Sequence, residues 1–399
     1  MKRWLVVVAV GLGVIGAGCS TPGQPPGAPA APPGPAPTKE GVAWAETVCS
    51  TVKQLDKTLA EPDAPGVARY LEDWAKALRG VTPTGVAPAD GFVADLAKAL
   101  EAAQSQPATA LARMTPQQPE LAAAAGRTPE LKVSYNVAPA CTPIEGSEQA
   151  APTRDMVIWA NVMCLSHRDL ATLRTDPLNE PALSDPRFAG AAPAALSLYI
   201  QGAGRPLDDV VELLDTAKPT GITDADNYRT ALLAAVRTAR EKLPPSGSGS
   251  GMTDWMRMPI DQLKAKATEI AAALTPAKPK DADLRALVSG NPPLAAARGV
   301  APACEVKDKP LPPAANGTDV AACASGKCQV QITDSVDVTV AGSALRVVVR
   351  DAQVTVTDAT GVVSLGGGGV ASFGDGKRTI TVQLLGAKGN TAVVDIKAS

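Results

Sequence analysis

Two short segments occur twice in this chain, and each carries a cysteine at the same place. Trp44-Ala45-Glu46-Thr47-Val48-Cys49 has a counterpart in Trp159-Ala160-Asn161-Val162-Met163-Cys164, and Val137-Ala138-Pro139-Ala140-Cys141 recurs as Val300-Ala301-Pro302-Ala303-Cys304. Counting back from the closing cysteines, Leu131, Pro129 and Leu121 fall opposite Leu294, Pro292 and Leu284 without a gap. A single five-residue match arises by chance in an alanine-rich chain. Agreement at both ends of a segment, each end with its cysteine, predicts an internal duplication. The chain therefore divides into two related helical units, residues 40–145 and 154–304, each with one cysteine in its first helix and one at its closing turn.

Apolar spacing predicts the helices. Trp44, Val48, Val52, Leu55 and Leu59 recur at steps of three or four and share one face. After Asp63-Ala64-Pro65, a second stripe carries Val67, Tyr70, Leu71, Trp74, Ala77 and Leu78 and stops at Gly80. Asp90 is placed to cap a third helix with Phe92, Leu96, Leu100 and Ala103, and a weaker stretch surrounds Leu111 to Met114. The second unit adds helices over residues 206–217 and 224–243. Its residues 244–251 have the glycine and serine content of a flexible loop. A helix capped by Thr253 follows, with Ile260, Leu263, Ala267, Ile270 and Leu274 on one face.

Residues 305–327 read as a connector, after which the apolar period changes to two. Val330/Ile332, Val336/Val338/Val340, Leu345/Val347/Val349, Val354/Val356, Ile380/Val382/Leu384 and Val394/Ile396 alternate with polar residues. Gly342, residues 358–361, 366–369, Asp375-Gly376 and Gly389-Asn390 supply turns. Residues 328–399 are thus expected to form a small all-β antiparallel sandwich or barrel. The fold class is α+β multidomain, two related disulfide-stapled helical bundles followed by that β domain.

The amino terminus constrains location. Lys2 and Arg3 precede an apolar run from Leu5 to Ile15, then Gly16-Ala17-Gly18 and Cys19. This is the pattern of a secretory signal, residues 1–18, too short for a membrane span. A cysteine directly after small residues resembles the lipobox of bacterial lipoproteins, with Gly16 where that family usually has Leu. The resemblance implies that Cys19 carries a diacylglycerol and becomes the new amino terminus, on the extracytoplasmic face of the cell membrane. The alanine- and proline-rich composition likewise resembles proteins of GC-rich actinobacteria; no specific functional family is implied. Residues 19–39 follow as a proline-rich tether, extended at about 3.1 Å per residue.

With Cys19 lipidated, six of the seven cysteines remain, an even number in an exported protein. Six cysteines permit 15 pairings. The duplication selects Cys49–Cys141 and Cys164–Cys304 as equivalent bridges and leaves Cys323 to Cys328. Without Lys2 and Arg3 the chain has 36 basic against 40 acidic residues, and no basic run marks a nucleic-acid partner.

Candidate chemistry is sparse. His167 is the only histidine, and the first unit has Val52 at the matching place, which predicts a packing position. Asp208, Glu212 and Asp215 share a helical face opposite Leu207, Val210, Val211 and Leu214, the pattern of a solvated side. Residues 366–369 lie between strands, so they do not make a phosphate cradle, which needs a following helix. No metal-ligand spacing and no cofactor fingerprint occurs, so no metal or cofactor is expected. Trp255, Met256 and Met258, beside the flexible loop, form an apolar group suited to a contact surface. The function expected is a non-catalytic binding or scaffold module, tethered at the membrane through Cys19, with an envelope protein or the cell wall as partner. A carboxylate-dependent envelope hydrolase and a solute-binding lipoprotein are the alternatives.

Overall fold

Steps of three and four become helices, and the step of two becomes strands. The computed structural model describes residues 35–59, 66–111, 114–144, 152–179, 181–245, 255, 257–305, 310–359, 361–366, 368–374 and 379–399. The chain is α+β. The expected leader, Cys19, most of the tether, Asp63–Pro65, Thr253 and Met256 lie outside the described residues.

The first helical segment comprises α1 (Lys39–Leu59), α2 (Val67–Arg79), α3 (Ala87–Ala103), α4 (Pro107–Leu111), α5 (Gln118–Ala125) and α6 (Pro129–Val137). The second comprises α7 (Arg154–Ala171), α8 (Pro181–Ser184), α9 (Ala192–Gly202), α10 (Arg205–Thr216), α11 (Thr223–Glu241), α12 (Ile260–Leu274), α13 (Asp281–Ser289) and α14 (Pro292–Val300). Proline in the first two positions of α3, α5, α6 and α14 sets their starts, because its missing N–H is not needed there. That explains one difference from expectation. Pro88 opens α3 ahead of Asp90, so Asp90 lies inside the first turn and not at the cap. Another is that the stretch around Leu111 ends its helix at Leu111, before Met114.

Helical stripes meet in one core. Buried side chains from Val42 to Ala301 form a single contiguous cluster drawn from both helical segments. Leu55, Leu71, Leu78, Leu100 and Leu170 are fully enclosed in it, each contributing about 1.5–3 kcal/mol. Disulfides staple its edges. Cys49 of α1 is bonded to Cys141 after α6, and Cys164 of α7 to Cys304 after α14, both with Cα–Cα separations of 5.1 Å. Beside the first, Glu46 Oε2 accepts from Ala140 N at 2.7 Å; beside the second, Asn161 Oδ1 accepts from Ala303 N at 2.8 Å. Arg154, at the start of α7, closes the first segment. Its guanidinium donates to the carbonyls of Asn136, Ala138, Pro139 and Cys141 at 2.6–2.9 Å. Lys39, at the start of α1, pairs with Glu305 at 3.0 Å beside the other closing turn.

The β region has two four-stranded antiparallel sheets, ordered β1-β8-β7-β6 and β2-β3-β4-β5. Their strands are β1 (Lys327–Thr333), β2 (Ser335–Val340), β3 (Ser343–Arg350), β4 (Gln353–Thr357), β5 (Val362–Leu365), β6 (Val370–Gly374), β7 (Thr379–Lys388) and β8 (Thr391–Ala398). Inward residues of both sheets pool in one core, to which Cys323–Cys328 belongs. The tight turn at Asp351-Ala352 uses φ of 50° and 60°, the two positive angles that match the twist of paired strands. The β region touches the helices through Phe188, packed with Ala191 and Val362, and through Arg187, whose Nη2 reaches Asp337 at 2.7 Å.

Candidate functional site

His167 is buried between three helices. Its Nε2 lies 2.7 Å from the Tyr228 hydroxyl and its Nδ1 3.2 Å from Asp281 Oδ1. Burial holds the imidazole below its usual pKa against the opposing pull of Asp281, and burial pushes Tyr228 up to about 12. Both ring nitrogens are thus occupied in tying α7 to α11 and α13. The matching residues of the first unit, Val52 and Phe92, are apolar. The trio ties the three helices by hydrogen bonds; in the first segment Gln118 stands at the place of Asp281, and Asp56 accepts from the backbone N–H groups of Gln117 and Gln118.

The acids of α10, Glu212 among them, are exposed, and two of them are partnered by α11. Asp215 accepts from Arg237 Nη2 at 2.7 Å and Asp208 from Arg240 Nε at 2.5 Å. Trp255 and Met258 are half-buried against the helical core, joined by Met258 N donating to the Trp255 carbonyl at 3.0 Å. Residues 366 and 368–369 form a strand-to-strand turn, with Gly369 N donating to the Gly366 carbonyl. Asp208 and Glu212 line one shallow concavity of about 290 Å³ with Arg237 and Arg240, and His167, Trp255 and Met258 do not line it. No group of three or more histidine, cysteine, aspartate or glutamate side chains among the described residues is arranged to hold a metal. No helix among them is long and apolar enough to cross a membrane.

Another concavity lies between α2 and α3. A turn creates it. Gly85, at φ 76°, reverses the chain in the left-handed region that suits glycine, and Asp90 then fixes the turn. Asp90 accepts from Thr84 N at 2.8 Å, Thr84 Oγ1 at 2.9 Å and Gly85 N at 3.0 Å. Beyond the turn, Val93, Ala94 and Ala97 present only short side chains to α2. A cavity of about 480 Å³ results, walled by Trp44, Leu78, Val81, Pro83, Val93 and Ala97 and rimmed by Arg79, Asp90, Lys98 and Glu101. Arg79 and Glu101 are ion-paired across it. Trp44 is 2% exposed, and its indole N–H has no hydrogen-bond partner among the described residues. An unpaired buried donor costs about 1–3 kcal/mol, so this one stands out against Trp74, which donates to Gln54 Oε1 at 2.8 Å, and Trp159, which donates to the Ala225 carbonyl at 3.2 Å.

The turn has a twin. Gly221 has φ 78°, and Asp226 Oδ1 accepts from Thr220 N at 2.8 Å and Thr220 Oγ1 at 3.0 Å. Pro83-Thr84-Gly85-Val86 and Pro219-Thr220-Gly221-Ile222 stand at the same distance before these aspartates. The repeated tetrapeptide was there to be found in the sequence. The cavity was not, because it depends on what α2 and α3 leave unfilled.

No protein-family model, curated protein or solved structure matches the chain.

Proposed function

We propose that this protein is a non-catalytic binding lipoprotein of the cell envelope, with the cavity between α2 and α3 as its ligand site. On this reading Cys19 carries lipid, the proline-rich residues that follow are a tether, and the folded part stands outside the membrane. The observation that carries the binding role is Trp44, a buried tryptophan on the cavity wall with an unpaired N–H. Native proteins satisfy nearly all such groups, with a bound water or ligand where no protein partner is at hand.

The helical part is two related units. The equivalent bonds of Glu46 and Asn161, the twin Asp90 and Asp226 turns and the repeated disulfide placement support this. They occupy places that the sequence repeat makes equivalent. Two experiments test the reading. Cells fed an alkyne-tagged fatty acid should label the wild-type chain and leave Cys19→Ser unlabelled; labelling of both would remove the anchor. Native mass spectrometry of the full chain released from membranes should show a bound small molecule that is absent from Val93→Arg, in which the cavity is filled. An identical spectrum for the two proteins would remove the cavity as the ligand site.

A further inference from the structure

The two helical units differ at the cavity itself. From that difference we infer that the cavity takes an amphiphile with an apolar body and a carboxylate head, while the second unit has closed its own copy of the site with Arg229. This rests on the cavity being a ligand site. Residues 67–103 align with 203–239 without a gap: Leu71 with Leu207, Leu78 with Leu214, Ala89 with Ala225, Asp90 with Asp226, Leu96 with Leu232 and Ala103 with Ala239. All but the two aspartates are buried. Even the ion pair recurs with its charges exchanged, Arg79–Glu101 in one unit and Asp215–Arg237 in the other.

In this alignment Val93 stands opposite Arg229 and Ala97 opposite Leu233. The Arg229 guanidinium donates to the Leu214 carbonyl at 3.1 Å and the Ala217 carbonyl at 2.6 Å. Leu214 and Ala217 are the counterparts of Leu78 and Val81, which wall the cavity. Arg229 therefore fills in the second unit the space that Val93 leaves open in the first. The indole follows the same division: Trp159 donates to Ala225, whereas Trp44 makes no such bond to the equivalent Ala89. Arg229 closes the site in one unit and the other retains room; each has a buried donor, Arg229 Nε or Trp44 Nε1, without a hydrogen-bond partner among the described residues.

That room selects its occupant. A volume of about 480 Å³ suits a small molecule, and Leu78, Val81, Pro83, Val93 and Ala97 suit an apolar body. Of the polar groups around it, Arg79 is paired with Glu101, and Asp90 is held by Thr84 and Gly85. The Trp44 N–H is unpaired. No hydrogen bond or ion pair engages the Lys98 ammonium among the described residues. The uncommitted charged group at the rim is a donor, so the ligand's polar end must accept, and a carboxylate also neutralises Lys98.

Calorimetric titration of the full chain carrying Cys19→Ser, with decanoate, decanol and decylammonium as probes, tests this. Decanoate should bind at least tenfold more tightly than decylammonium. Val93→Arg should weaken decanoate at least tenfold, and Ala97→Leu should weaken it measurably. Lys98→Ala should weaken decanoate several-fold and leave decanol unchanged. Circular dichroism checks that each variant folds, and Ala97→Leu decides if Val93→Arg does not. Equal binding of decanoate and decanol, both lost in Val93→Arg, would overturn the carboxylate head and leave the cavity as a site. Binding insensitive to both cavity-filling variants, or no binding of any probe, would overturn the cavity as well.

Discussion

Removing the Arg154 guanidinium should destabilise the helical core by about 3–4 kcal/mol. Four carbonyls of the first closing turn, those of Asn136, Ala138, Pro139 and Cys141, accept from this one side chain at 2.6–2.9 Å. A hydrogen bond to a charged group contributes about 1.5–3 kcal/mol, so a simple sum would reach about 6–12 kcal/mol. That sum is too large for two reasons. The guanidinium loses hydration, and this burial holds its pKa below the usual arginine range despite nearby Glu46 and Asp155. Water also reaches some of the carbonyls once the side chain is gone. The remaining loss resembles that from breaking a buried charged contact, on the order of 3–5 kcal/mol, and partial exposure places it at the lower end. Arg154→Lys should lose about 2 kcal/mol, because an ammonium on a single stem cannot span four carbonyls. Urea unfolding followed by far-ultraviolet circular dichroism, with the disulfides oxidised, measures both. Arg154→Ala within about 1 kcal/mol of wild type, or Arg154→Lys indistinguishable from it, would refute the reasoning.

Three further outcomes follow from the same physics. Replacing Cys49 and Cys141 by alanine opens a span of 92 residues and should cost about 4–5 kcal/mol, against about 2 kcal/mol for Cys323 and Cys328, five residues apart; equal losses in denaturant titrations would contradict the chain-entropy account. The native state resists protonation of His167, whose folded pKa is depressed by burial, so its contribution is present above pH of about 6.5 and is lost as the pH falls below that value. Melting temperatures at pH 7.5 and 5.5 should therefore fall more for wild type than for His167→Phe, and parallel falls would count against it. Asp90→Ala should remove the three bonds that fix the Thr84–Gly85 turn and lower stability by about 1–3 kcal/mol, whereas Asp90→Asn should lose less; identical losses would mean that the carboxylate does not hold the turn.

Much of the fold can be read along the chain because its signals are local and periodic. The Trp44, Val48, Val52, Leu55 stripe is the buried face of α1, and the alternation from Val330 onward is the inward face of the sheets. Alternation cannot say how strands divide, and the order β1-β8-β7-β6 joins the two ends of the β region. Residues 181–202 carry no periodic signal, because α9, Ala192–Gly202, has apolar side chains all round and no single stripe. Trp255 and Met258, an apolar group beside the flexible loop in the sequence, pack half-buried on the helices. The cavity escaped for another reason. Val93 and Ala97 are ordinary helix residues, and their meaning depends on Arg229 and Leu233, which the proposed duplication sets opposite them.

The disulfide connectivity carries a consequence for how such a chain is made. Cys49 is bonded to Cys141, Cys164 to Cys304 and Cys323 to Cys328, so among these six each partner is the next cysteine along the chain. An oxidase meeting the polypeptide as it threads out of a membrane pore, amino end first, would join each thiol to the next to emerge. The native set would form in order, and no bond would need to be undone. In an exported chain the one thiol able to spoil that sequence would be Cys19, ahead of Cys49; under the proposed lipidation its sulfur becomes a thioether and is withdrawn from the exchange.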